Sequence, residues 1–328
     1  MSAVDSRSAP ARPTPPGRPA PPAHVRKKRR RTSTGAGRTP YLLALPALLM
    51  LIGLLGYPMF RMVVLSFQNM RLRELFQGLT PPWVGLDNYT KILTDDVFWS
   101  VVLRTVIFTA VSVVLTVVLG LAVALLMRRV APSLRIGMII TMMFVWAMPQ
   151  LVATQIFRWL VDADFGVVNY LLTQIGFDFE NHSWFADPKQ GWLVITTLVV
   201  WAGIPFVAIT LNAGLTQVPK ELLEAATVDG ASPWQALRNI TLPILKQLIV
   251  IVTTLSVIWN FGLFTQPWVI RDGEPEADYQ TLATYAYSIA FKNNSYSLGS
   301  AISVITVLLL LFVMVFYIRQ MFKIGDVD

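Results

Sequence analysis

The stretch Glu224-Ala225-Ala226-Thr227-Val228-Asp229-Gly230-Ala231, followed by Ile240-Thr241-Leu242-Pro243, is a small-residue, acid-bearing segment set between two long apolar runs, Trp192 to Leu215 and Ile244 to Ile270. Crossing about 30 Å of hydrocarbon at about 1.5 Å per residue takes roughly twenty helical residues, and both runs are that long. Four more such runs lie outward from them: Tyr41 to Phe67, Ser100 to Met127, Ile136 to Trp159 and Ser300 to Ile318. Backbone polar groups in lipid need partners within their own segment, and these runs are too long for barrel strands, so all six are expected to be helices. The fold expected is an all-α integral membrane protein with six transmembrane helices.

Composition points the same way. Hydrophobic residues make up 54% of the chain and charged ones only 14%, with a mean hydropathy of +0.55, too apolar for a soluble domain of this length. The net charge of +8 is concentrated in one run, Arg26-Lys27-Lys28-Arg29-Arg30-Arg31, just ahead of the first apolar stretch. A basic run in that place sets orientation and meets anionic lipid rather than nucleic acid. The chain has no cysteine and two isolated histidines, His24 and His182, which excludes disulfides and thiolate chemistry and argues against a metal cluster. Seven prolines fall within residues 1–22, so residues 1–38 read as a disordered, basic cytoplasmic tail and residues 39–328 as the membrane domain. The apolar stretch after the tail is much longer than the core of a secretory signal, and Thr32-Ser33-Thr34-Gly35 is the wrong context for a twin-arginine signal.

Lysine and arginine beside the spans fix the expected orientation. With the N-terminus inside, the inner segments carry Arg26 through Arg31, Arg38, Arg128, Arg129, Arg135, Lys220, Arg238, Lys246, Arg319 and Lys323. The outer ones carry Arg71, Arg73, Lys91, Lys189, Arg271 and Lys292. Both termini, and the Glu224 segment, are then cytoplasmic. None of the six runs contains Asp or Glu, so the intramembrane carboxylate relay of a proton-driven transporter is missing. The chain also lacks a GxxxxGK[ST] phosphate loop and any nucleophile constellation. It reads as no enzyme, and the energy for transport would come from a separate subunit. The alternative, a secondary transporter with a cytosolic hairpin that couples to nothing, stays open on the residues alone, as does a non-transporting scaffold.

Within residues 216–243, Pro219 suits the first turn of a helix, with Glu221 and Glu224 toward its positive end. Leu222, Ala225 and Ala226 share a narrow face on which the alanines permit close approach by another protein. Asp229-Gly230 reads as a turn needing positive φ, and Ser232-Pro233-Trp234-Gln235 as a capping box starting a second helix. At Leu242-Pro243 the chain is expected to turn into the fifth span. Such a hairpin could also simply lie at the lipid headgroups.

The residues Glu224-Ala225-Ala226, Asp229-Gly230-Ala231, Ile240, Leu242 and Pro243 resemble the EAA loop of permease subunits of binding-protein-dependent ABC importers. Gln247 stands where that family often has proline. The likeness covers most of residues 40–325. Tyr41 to Ala47, Gly56-Tyr57-Pro58, Val84 to Tyr89, Trp259 to Phe264, Thr281-Leu282 and Gly299 to Val304 are similar to the carbohydrate-uptake branch. Arg271 to Pro275 departs from that branch's glycine-rich pattern. The resemblance implies a MetI-like permease core in a prokaryotic plasma membrane. It also implies a second homologous permease, two copies of an ATP-binding cassette ATPase, an extracytoplasmic solute-binding protein and a sugar or oligosaccharide substrate. It assigns ATPase coupling to Glu224, Ala225, Ala226, Asp229, Gly230 and Ala231. Carbohydrates are held by aromatic faces together with amides and hydroxyls, so Gln150, Gln155, Trp259, Asn260 and Phe264 are the candidate path residues within the spans. The acids Asp162, Asp164, Asp178, Glu180, Asp272, Glu274, Glu276 and Asp278 read as solvated external loops.

Overall fold

The computed structural model describes residues 39–323; the expected tail, residues 1–38, lies outside the described residues. The chain divides into two compact units, one ending at Gly53 and the other beginning at Leu54. In the first, the described residues form α1 (Thr39–Leu51), an uncharged helix with Pro46 inside it, and the start of a wide π turn over Ile52–Gly56.

The second unit opens with α2 (Tyr57–Ser66), where the preceding wide turn over Ile52–Gly56 takes up the missing N–H of Pro58. Short helices α3 (Leu72–Gln77) and α4 (Asp87–Leu93) lead to the long α5 (Asp96–Arg129). Then come α6 (Pro132–Ala147), α7 (Gln150–Leu160), α8 (Val167–Gln174) and the long α9 (Pro188–Leu215). The hairpin helices α10 (Lys220–Val228) and α11 (Pro233–Ala236) precede α12 (Leu242–Phe261). Last are α13 (Thr265–Ile270), α14 (Leu282–Tyr287) and α15 (Tyr296–Lys323). Among the described residues the one β feature is an isolated bridge between Gln68 and Trp83.

Among the described residues, five helical stretches are long and apolar enough to cross a bilayer: Leu43–Ser66, Asp96–Arg129, Pro188–Leu215, Pro233–Ile270 and Tyr296–Arg319. The expected third span is the exception. It is broken into α6 and α7, which meet at 98°, and it makes a sixth crossing if the bent pair counts as one. The cause is local: Pro149 has no N–H to give and forces Met148 into extended backbone (φ −66°, ψ 130°), so the helical ladder cannot pass.

Two aspartates start the long helices. Asp95 accepts from the Val97 N–H and Asp187 from the Lys189 N–H, both at 2.9 Å, satisfying amides left over in a first turn. At the other end of α5, Arg128 and Arg129 meet the negative end of the helix dipole, and Arg135 Nε donates to the Met127 carbonyl at 2.6 Å. Helices α5 and α9 make the most extensive pairing, through small residues. A Cβ on Gly120 would lie 2.6 Å from Val207 Cγ1, and one on Gly203 2.8 Å from Thr116 Cγ2. Lipid tails are as apolar as leucine, so this contact is held by close van der Waals packing rather than by exclusion of water. Ala124, Val207, Leu211, Leu245 and Val252 fill the space among α5, α9 and α12. Phe98, Val101, Phe261, Leu282, Ala301 and Ile302 do the same among α5, α12, α14 and α15.

The Val84–Tyr89 segment is a clamp. Buried Asn88 donates to the carbonyls of Ser66 and Gln68 at 2.8 and 2.7 Å, and Tyr89 Oη meets Ser66 Oγ at 2.6 Å. The carbonyls at the end of α2 thus gain partners they could not find in the helix.

Candidate functional site

The hairpin over residues 216–243 is built largely as its residues dictate. Pro219 is the N-cap of α10 rather than its first turn, and Glu221 occupies that turn. At the far end Asp229 is still αR and Gly230 takes φ +82°. The Gly230 N–H reaches Thr227 O at 3.1 Å and the Ala231 N–H reaches Ala226 O at 2.9 Å, the bond pair of a Schellman stop. Ser232 and Gln235 then close a reciprocal capping box at 3.3 and 2.7 Å. One expectation is corrected: the chain does not turn at Leu242-Pro243. Helix α11 runs without interruption through a wide turn over Leu237–Thr241 into α12. The wide turn relieves the ladder position where Pro243 offers no N–H.

Glu224, Ala225, Asp229 and Gly230 are exposed, and Ala226 and Ala231 half-buried. Large apolar side chains stand open beside them: Leu222, Val228, which is 88% exposed, and Trp234, 66% exposed. This hairpin presents an apolar surface that the rest of the chain leaves uncovered.

A second feature is a cavity of about 480 Å³ among α5, α6, α7, α9, α12 and α13. It collects Gln150, Trp259, Asn260 and Phe264, four of the five path residues picked from the sequence; Gln155 is exposed on α7 and lies outside the lining. Trp146, Phe206, Thr116 and Gln266 also line it and were not picked. Phe206 packs edge-on against Trp259 with centroids 5.1 Å apart and stacks with Trp146 at 6.5 Å. The lining holds no charged side chain. Asn260 is 7% exposed and its amide donates to Ser256 O of its own helix at 2.7 Å. Gln266 Oε1 and Thr116 Oγ1 are buried with no hydrogen-bond partner. Buried orphans of this kind cost about 1–3 kcal/mol each unless something else supplies the bond.

The cavity coincides with breaks in two helical runs and with a proline inside a third, unbroken helix. Met148 and Gln150 flank the Pro149 break, Pro205 takes one N–H from the ladder of α9 beside Trp201 and Phe206, and the Gly262–Phe264 break separates α12 from α13. Irregular backbone at membrane depth is tolerated where protein or a water-filled cavity satisfies it. Thr281, the N-cap of α14, does part of this by donating its hydroxyl to Leu263 O at 2.6 Å.

Next to the cavity, α7 and α13 pack together, and the following loop is fastened by ion pairs. Arg158 grips Asp272 with two bonds of 2.5 and 2.8 Å, and Arg271 pairs with Glu276. Arg104 reaches Asp278 and Lys292 reaches Glu274, each at 3.4 Å. The four acids of this loop are each paired, yet their side chains stay 57–82% exposed, solvated as expected. Hydrogen bonds from Arg158 hold the Asp272 carboxyl below the usual carboxylate range, and Arg271 does the same for Glu276. Burial pushes the Tyr279 phenol up. Burial, with the hydrogen bond to Asp95, does so to Tyr285.

Comparison with known proteins agrees with this architecture. Residues 116–323 match the family described as the binding-protein-dependent transport system inner membrane component. The chain is 41% identical, over 90% of its own length and 90% of the other's, to the diacetylchitobiose uptake system permease protein DasB of Streptomyces coelicolor. It is 33% identical to the sulfoquinovosyl glycerol transport system permease protein SmoG of Agrobacterium fabrum, over 85% and 88% of the two chains. A chain of the bacterial alginate ABC transporter, solved in complex with an alginate pentasaccharide-bound periplasmic protein, superposes with a TM-score of 0.72. That match covers 88% of this chain and 95% of the other at 18% identity, a likeness of fold.

Proposed function

Because the chain belongs to the binding-protein-dependent transport system inner membrane component family, we propose that it is a permease subunit of an ABC sugar importer. In this reading it forms half of the substrate path and takes its energy from a separate ATPase. The observation that carries the reading is the hairpin, which is rigidly capped yet leaves Leu222, Val228 and Trp234 open. A stiff apolar projection with a small-residue face fits a groove on another subunit. Glu224 anchors it, Ala225 and Ala226 allow close approach, and Asp229, Gly230 and Ala231 set the elbow. The partners are two ATPase copies, a second homologous permease and an extracytoplasmic binding protein. The excess of Lys and Arg on one side supports a plasma-membrane orientation with both termini and the hairpin in the cytoplasm.

The cavity supports sugar as cargo. Its aromatic walls, its amides and hydroxyls and its lack of charged side chains suit a neutral polyol. Trp259, Phe264, Asn260 and Gln150 line the path, whereas Gln155, exposed on α7, stands outside this cavity. The relatives' names, diacetylchitobiose and sulfoquinovosyl glycerol, support the carbohydrate class.

The test is copurification and uptake. An ATPase should be retained by the wild-type chain and lost from the Glu224→Ala, Ala226→Leu double variant, with ATP-dependent sugar uptake lost alongside. Uptake by the chain alone, driven by an ion gradient, would overturn the reading.

A further inference from the structure

The loop joining α7 to α9 contains α8, and this helix is turned the unusual way for a surface element. Its apolar positions Val167, Tyr170, Leu171 and, just past its end, Ile175 recur at i, i+3, i+4 and i+8, forming one stripe. All four are exposed, Tyr170 at 64% and Ile175 at 70%. Flanking Phe165 and Phe177 are exposed as well. The polar Asn169 is instead only 5% exposed. Its amide donates to Asp162 O at 3.1 Å and His182 O at 2.8 Å, and its Oδ1 accepts from Trp184 Nε1 at 2.6 Å. The helix carries no charged residue. In water this arrangement is backwards, since it hides the amide and wets the aromatic and aliphatic groups.

The loop is also pinned to α7, the second half of the bent pair, and to the start of the long apolar helix α9. Gly166, the N-cap of α8, is packed so closely on the turn closing α7 that a Cβ there would lie 3.0 Å from Leu160 O. At the other end His182 Nε2 meets Gln190 Oε1, in the first turn of α9, at 2.6 Å. Elements fixed to the ends of spans lie at the level of the lipid headgroups, where aromatic and aliphatic side chains are favoured. That placement, with no charged residue on the helix, favours lipid over a protein partner for the stripe.

We infer that α8 is an interfacial helix whose Val167, Tyr170, Leu171 and Ile175 dip into the bilayer, so that the loop over residues 161–187 rides on the membrane. This rests on the chain's membership of a membrane-protein family and is independent of the cargo and of the hairpin's role. It also explains why the one buried polar side chain of α8 faces protein.

The absence of cysteine from the chain makes the test direct. Leu171→Cys, Ile175→Cys and, as a water-facing reference, Asp178→Cys are spin-labelled singly in the assembled transporter in phospholipid vesicles. The spectrum of the unsubstituted complex serves as background. Collision rates with oxygen, which partitions into lipid, and with a nickel chelate, which stays in water, are compared. Oxygen should dominate at 171 and 175, with the order reversed at 178. Nickel dominating at 171 and 175 would overturn the inference. So would exclusion of both reagents there, which would place a protein partner on the stripe.

Discussion

Gly230→Val isolates the elbow of the hairpin, because a Cβ at Gly230 would meet nothing within 4 Å. Within this chain, any effect on the elbow must come from the backbone. Gly230 sits at φ +82°, where a non-glycine residue costs on the order of 1–3 kcal/mol and a β-branched one lies at the upper end. Relaxing that strain gives up the bonds to Thr227 O and Ala226 O; being exposed, these add less than about 1 kcal/mol each. A net cost of about 2–3 kcal/mol lowers the ratio of intact to relaxed elbow roughly 30- to 150-fold. Asn tolerates left-handed backbone better than other side chains, so the order should be Gly, then Asn, then Ala, then Val. The assay is sugar uptake together with ATP hydrolysis in vesicles holding the complete transporter. Membrane insertion should be unchanged while uptake falls in that order. Wild-type uptake by the Val variant, or an Asn variant as impaired as Val, would refute the reasoning.

Gln266→Met removes the buried, partnerless Oε1 at the cavity wall; the melting temperature should hold or rise, while the KM for sugar uptake rises by up to about tenfold, the worth of one neutral hydrogen bond. Gly120→Ala should lower the stability of the detergent-solubilised protein by about 1–3 kcal/mol through overpacking against Val207. Gly137→Ala, which meets nothing within 4 Å, should leave the melting curve in place. The carboxyls of Asp272 and Glu276 are held below their ordinary range in the folded state, so the stability they contribute is complete above the ordinary carboxylate pKa of about 4 and is lost as pH falls through the lower folded values. Hydrogen exchange in the loop over 271–280 should therefore be constant from pH 7 to 5, after correction for intrinsic rates. Protection should weaken below about pH 4, by no more than about 1 kcal/mol per exposed pair; loosening between pH 7 and 5 would contradict this.

The spans were legible because hydropathy acts over about twenty residues, and so was the hairpin stop, because Asp229-Gly230 and the Ser232–Gln235 box are short-range chemistry. The break at Pro149 was hidden inside an apolar run that reads as one span, although the proline itself was the signal. Pro243 misled in the opposite sense: a wide turn over Leu237–Thr241 absorbed it, and nothing in the sequence counts an extra residue per turn. Trp259 and Asn260 could be chosen as polar or aromatic groups within a span. Thr116 and Gln266 could not, since what marks them is a missing partner, and that depends on α5 and α13 meeting at one cavity.

The placement of rigid and broken segments follows one logic. From Trp234 to Trp259 the helix is continuous, a rod of about 35–40 Å at about 1.5 Å per residue. Its lower end is the exposed hairpin and its upper end carries Trp259 and Asn260 at the cavity wall. A hinge at Leu242-Pro243 would let the hairpin move without moving that wall; a continuous helix does not. The breaks lie instead at Pro149 and Gly262–Phe264, both beside the cavity. If a subunit docks on the hairpin as proposed, displacement of α11 would be carried along the rod to the place where the helices are broken. There Phe206 and Trp259, packed edge-on, stand on different helices, α9 and α12, so rotation of the rod must separate or repack them. On the proposed reading, movement of the hairpin would therefore change the wall of the cavity.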